Sequence, residues 1–175
     1  MWSYGDCIKF CITAFKHIPK IIGGINIINK DTLNELSDAF TCEQKNVSSG
    51  IDKIVSGVAC NFWINSIIGL LILLFSLGQF SGMFGTILGI SAEVVGIGIG
   101  VLINSLLIMC MYNHQESWSG IWLKIYVVLV IINVIFSMFG IVGGLFSFSI
   151  IGILKIVCNI ASLLCFGLVL QGILE

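Results

Sequence analysis

Arginine is absent from this chain, proline occurs once, and only 10% of the 175 residues are charged. Without arginine, the planar two-pronged clamps that grip phosphates and carboxylates cannot be built. So little charge cannot cover a water-facing surface either, because a soluble globular domain carries roughly 25% charged residues. The net charge of −1 excludes the concentrated basic patch that nucleic-acid binding needs. The seven cysteines (Cys7, Cys11, Cys42, Cys60, Cys110, Cys158 and Cys165) form no Cys-x-x-Cys pair, which removes zinc and thioredoxin-like readings. They read as reduced thiols packed like small hydrophobes. The start, MWSYGDCIKFCITAFKHIPK, has no uninterrupted apolar core and no small-residue cleavage site, so no secretory signal is expected.

What the chain does have is apolar bulk: 58% of its residues are hydrophobic and its mean hydropathy is +1.11. Four long apolar segments lie at about 56–77, 83–111, 121–139 and 145–172, each meeting the ~20 residues that a ~30 Å hydrocarbon layer requires. The links, about 77–81, 112–120 and 140–144, are short enough to make successive helices antiparallel neighbours. The expected fold class is all-α: an integral membrane four-helix antiparallel bundle with an N-terminal amphipathic, interfacial leader. Residues 1–55 form the leader and 56–175 the bundle.

Within the leader, Lys9, Thr13, Lys16 and Lys20 recur at steps of four, three and four, with apolar residues on the other faces. The spacing predicts a basic amphipathic helix over 4–18, ending near Pro19, with Lys9, Lys16 and Lys20 at a lipid interface or on a partner subunit. The apolar stretch 21–29 is too short to span, and Gly23-Gly24 suggests a bend or a re-entrant turn. A second short helix is expected over about 32–41, followed by a solvated loop over 42–50. Six of the eight lysines precede residue 56. Trp63, Tyr112, Trp118, Trp122 and Tyr126 fall towards the same end of the bundle, as an aromatic belt would. The positive-inside rule then places both termini on the cytoplasmic side, or the matrix or stromal side of an organelle.

The second apolar segment carries Gly82, Gly85, Gly89, Glu93, Gly96, Gly100 and Asn104 at steps of three or four, hence on one helical face. Seams of this kind let helices approach closely in lipid. The other segments carry their own: Gly57, Asn61, Asn65, Gly69 and Ser76; Asn133, Ser137, Gly140 and Gly144; Gly152, Lys155, Asn159 and Ser162. Glu93 and Lys155 each fall ten residues into their segments, at ~15 Å depth. Either charge alone costs about 2.5–3.5 kcal/mol to insert. An intramembrane Glu93–Lys155 contact is therefore expected, with Asn133 and Asn159 as neighbours.

No catalytic constellation is visible. The GIGIG run at 96–100 lacks a preceding strand and a downstream acid, while His114 and Glu116 share a loop without a nucleophile or an orienting third group. The chain reads as a non-enzyme with no cofactor and no metal. It is expected to be a structural or accessory membrane protein whose partners are lipids and other membrane subunits, or further copies of itself. Two alternatives stand beside this: a small proton or cation transport or channel subunit using Glu93, and a curvature-generating protein acting through its leader helix.

Overall fold

The computed structural model describes residues 1–27, 30–76, 83–146 and 149–175. Among the described residues the protein is all-α apart from one short strand pair. Helix α1 spans Tyr4–Thr13, a 3₁₀ stretch covers Ala14–Ile27, and α2 spans Lys30–Thr41. Four long helices follow: α3 (Ile51–Ser76), α4 (Met83–Asn113), α5 (Gly120–Leu145) and α6 (Ile150–Leu174). Each is long and apolar enough to cross a membrane, and their 25 to 31 residues correspond to ~37–46 Å of helix. Large side chains such as Phe136, Phe139 and Ile121 stand exposed on their outer faces. A bilayer is the solvent in which such a surface is stable. The multi-pass four-helix membrane bundle read from hydropathy is therefore the fold.

The spans differ from the expected segments at two places: α3 begins at Ile51, five residues before the expected 56 and inside the stretch read as leader, and the α5–α6 boundary is shifted. α5 continues through the expected 140–144 link as far as Leu145, and α6 begins at Ile150. Ser149 caps α6, its hydroxyl accepting a 3.0 Å hydrogen bond from the Gly152 amide, which satisfies one of the free amides of the first turn. The expected link at 77–81 and Gly82 lie outside the described residues.

The helices are not packed in sequence order. α3 packs against α6 and α4, and α6 also packs against α5, whereas α4 and α5 barely touch despite their short link. The order across the bundle is α4–α3–α6–α5. Small residues set the tightest crossings. A Cβ on Gly57 would lie 2.8 Å from the Cys165 carbonyl oxygen, one on Gly172 3.0 Å from the Ile54 amide, and one on Gly140 within contact of the Asn159 amide group. Gly57, Gly140 and Asn159 belong to the expected seams, whereas Gly172 lies outside them; small residues of this kind let helices approach closely.

The leader shares the bundle's core. Cys7, Cys11 and Ala14 are fully buried in one cluster with Ile54, Val55, Ala59, Ile108 and Val169. Ser3 caps α1, accepting from the Asp6 amide at 3.2 Å. The α-helix then stops at Thr13, five residues before the expected end, when the Ala14 amide turns to the Cys11 carbonyl. Over its 14 residues the 3₁₀ winding covers ~28 Å, against ~21 Å for α-helix. That extra reach carries the chain across α3 to α6. There Gly24 lies backbone to backbone against Gly167, and Gln171 Nε2 donates to the Gly23 carbonyl at 2.8 Å. Trp63 Nε1 donates to the Cys11 carbonyl at 2.6 Å, and Trp2 stacks on Tyr112 with ring centroids 3.8 Å apart. The aromatic side chains expected to form a belt are thus partly internal: Trp118 is buried beside Tyr126, while Trp122 faces out.

The loop expected to be solvated is tied down as well. Strand β1 (Gln44–Lys45) pairs antiparallel with β2 (Trp118–Ser119), and Val47 donates to the Gln115 carbonyl while its side chain is buried. The Trp2–Asn113 hydrogen bond and the Lys53–Glu175 ion pair gather both termini, the 42–50 loop and the α4–α5 link at one end of the bundle.

Candidate functional site

Because α4 and α5 stand apart, a cleft of about 510 Å³ opens between α4 on one side and α6 with Tyr126 of α5 on the other, floored by α3. Its walls carry Asn61, Asn65 and Ser66 from α3, and Glu93, Gly96 and Asn104 from α4. All but Ser66 belong to the expected seams of these two helices, which share a helical face.

Glu93 lies on Gly69. A Cβ at that position would come 3.0 Å from the Glu93 Oε1, so the glycine makes the room in which the carboxylate lies. Phe62 packs on Gly100, two turns of α4 away, or ~10 Å. Asn104 satisfies its amide hydrogens locally by donating to the Gly100 carbonyl at 2.8 Å. Asn65 is the most committed polar group, donating to Asn61 and to Ser162 Oγ and accepting from the Cys158 thiol at 3.2 Å. Among the described residues, Glu93 has neither an ion pair nor a hydrogen-bond donor.

The expected Glu93–Lys155 contact is not made. Asn65 meets Cys158 while Gly69 meets Glu93, so Lys155 lies at about the height of Glu93, as the sequence suggested, but α3 stands between their helices. Lys155 is exposed. The physical reason is the helix order: α3 packs against both α4 and α6 and keeps the two charges apart.

Neither expected neighbour joins Glu93. Asn133 is exposed on α5 and returns its amide to the Leu129 carbonyl at 2.8 Å. Asn159 packs on Gly140 and donates to the Lys155 carbonyl at 2.8 Å. Of the α4 seam, Gly100 packs against Phe62, Gly96 lines the cleft with open space before it, and Gly85 and Gly89 are partly buried. Lys9, Lys16 and Lys20 are all exposed on the leader's outer side. Phe62, Tyr126 and Phe166 complete the cleft. Helical spacing gives no signal for these three, because they reach the site only through the α4–α3–α6–α5 order.

In the leader, burial raises the pKa of Cys7 and Cys11 above the ordinary thiol value and lowers that of His17, with Lys20 adding to the effect on His17. Among the described residues no group of three or more His, Cys, Asp or Glu side chains could hold a metal ion. Comparison with family models, with curated proteins and with solved structures finds no match for this chain.

Proposed function

We propose that the protein is a non-catalytic membrane subunit that packs into a larger membrane assembly, with another transmembrane helix seated on its outer surface. The observation that carries this reading is a pair of open-faced glycines. Gly98 of α4 and Gly143 of α5 are exposed and have no atom within 4 Å of where a Cβ would stand. On a helix that meets only lipid, a glycine costs about 1 kcal/mol relative to alanine and returns no packing. It becomes favourable where a second helix can approach the bare backbone. Exposed Asn133 supports the same reading, since an amide at a lipid-facing position is better placed against another helix.

Gentle detergent extraction and native sizing test this. Oligomeric or partner-bound material is expected, and Gly98→Leu should release it while leaving the chain folded, because none of the described residues occupies that space. A lone ~19 kDa species (the chain mass is 19.0 kDa) before and after the substitution overturns the proposal.

A second reading, a small cation-transport subunit, is favoured by the unpaired Glu93 in its cleft. Intramembrane carboxylates that face a cavity mark ion or proton pathways more often than not. Reconstituted vesicles decide it: cation or proton flux that disappears in Glu93→Gln supports transport, and wild-type vesicles as tight as empty ones remove it. Curvature generation draws less support, since the buried side of the leader packs on its own bundle.

A further inference from the structure

We propose that the cleft between α3, α4 and α6 binds an organic ammonium ion with an apolar tail, the charge on Glu93 and the tail against Phe62, Phe166 and Tyr126. The inference rests on the second reading above and names the chemical class that its site would take.

Four observations converge on that class. The carboxylate has no positive partner among the described residues, so the cleft offers one uncompensated negative charge in an apolar surrounding, where attraction for a cation is strongest. Its volume of about 510 Å³ lies within the range of small-molecule sites and far exceeds a bare ion. The polar oxygens are poorly arranged for a hard inorganic cation, which takes six or more oxygen ligands. Asn65 Oδ1 already accepts from the Cys158 thiol and Asn61 Oδ1 from the Asn65 amide, leaving the Glu93 carboxylate with the side-chain oxygens of Asn104, Ser66 and Tyr126 spread along the cleft, fewer than such a shell needs. Finally, the rings are not beside the charge. Phe62 packs on Gly100, ~10 Å along α4 from Glu93. A ligand that uses both ends must therefore carry its charge at one end and its apolar bulk at the other.

The geometry also assigns Gly69 a part. Its missing side chain holds open the space in which the Glu93 carboxylate lies. A bulkier residue there pushes the carboxylate off α3 and away from the line joining it to Phe62.

The probe is 4-phenylbutylamine, cationic at neutral pH and about long enough to bridge the two ends, compared with its uncharged counterpart 4-phenylbutanol. Binding is measured by equilibrium dialysis against the full chain in nanodiscs, with empty nanodiscs subtracted. The expected result is one saturable amine site per chain, at least tenfold weaker in Glu93→Gln and several-fold weaker in Phe62→Leu. The alcohol should bind at least tenfold more weakly than the amine and be indifferent to Glu93→Gln. Equal amine binding by wild type and Glu93→Gln, or equal binding of amine and alcohol, overturns the proposal. Should Glu93→Gln not yield a monodisperse protein, the amine–alcohol comparison on the wild type and the Phe62→Leu affinity decide it alone. Amine binding without flux in vesicles keeps the site and removes transport. Flux that depends on Glu93 without amine binding keeps transport and removes this ligand class.

Discussion

Gly24 and Gly167 show how much of this molecule depends on atoms that are missing. A Cβ on Gly24 would overlap the Leu164 carbonyl and the Leu168 amide, and one on Gly167 would lie 2.5 Å from the Gly24 carbonyl oxygen. Backbone cannot yield as a flexible side chain can, so Gly24→Val and Gly167→Val should each cost about 1–3 kcal/mol, as overpacked sites do. Gly23, one position away, has nothing within 4 Å of its Cβ position, so Gly23→Ala should leave the detergent-solubilised melting temperature unchanged. Equal loss in Gly23→Ala and Gly24→Val would falsify the close crossing. The sequence showed the glycine pair, but the expected bend is replaced by 3₁₀ winding that runs through both glycines, and which of the two carries the contact depends on where α6 passes. Thiols give a second check at this scale. Cys7 and Cys11 are buried, and burial raises their pKa, so the reactive thiolate is scarce at neutral pH. A water-soluble maleimide should modify partly exposed Cys42 within minutes and spare both leader thiols until the protein is unfolded.

Among the elements, the leader departs furthest from its reading as an interfacial helix. The spacing of Lys9, Thr13, Lys16 and Lys20 correctly marked an outer side, and all four are exposed. Amphipathicity cannot say what the inner side rests on, and here it rests on α3, α4 and α6. Removing residues 1–27 would strip partners from the Trp63 indole, the Cys60 thiol and the Gln171 amide together. The remaining helices should then melt at a lower temperature than the full chain, whereas a leader resting only on lipid would leave them unchanged. His17 makes the docking sensitive to acid. It stacks on Phe10 and faces Lys16, Lys20 and Asp52. Burial holds its pKa below the ordinary 6.5, so the docked leader favours the neutral ring. As pH falls below 6.5 the undocked state takes up the proton first, and docking weakens until the docked ring also titrates. Thermal melts at pH 7.5 and 5.5 should therefore differ more for the wild type than for His17→Gln. The boundary of α6 is the other lesson at this scale. Leu145, Phe146 and Phe148 hide it from hydropathy, which does not see the Ser149 cap that starts the helix. The depth match of Lys155 and Glu93 was read as contact, but α3 packs between their helices and keeps them apart.

Over the whole molecule, the helices' existence and number follow from composition, but their order does not. Short links were read as neighbours, yet the α4–α5 link is held by its own strand pair with the 42–50 loop, which lets the two helices diverge. Their divergence opens the cleft and leaves Glu93 without an ion-pair partner among the described residues, so the order α4–α3–α6–α5 is the premise of the transport and ligand proposals. A covalent test is available at one native thiol. Cys158 of α6 donates to Asn65 Oδ1 of α3 at 3.2 Å, so Asn65→Cys places a second sulfur near the first, at a separation a disulfide can close. Under mild oxidation in detergent, peptide mapping should find residues 65 and 158 linked. The cross-link should form to near completion, since both positions lie on rigid helices packed tightly along α3 and α6. If α3 and α6 were not neighbours, residue 65 would face lipid or α4, and its thiol would remain free while Cys158 stayed reduced. That result would remove the arrangement of helices on which the cleft depends.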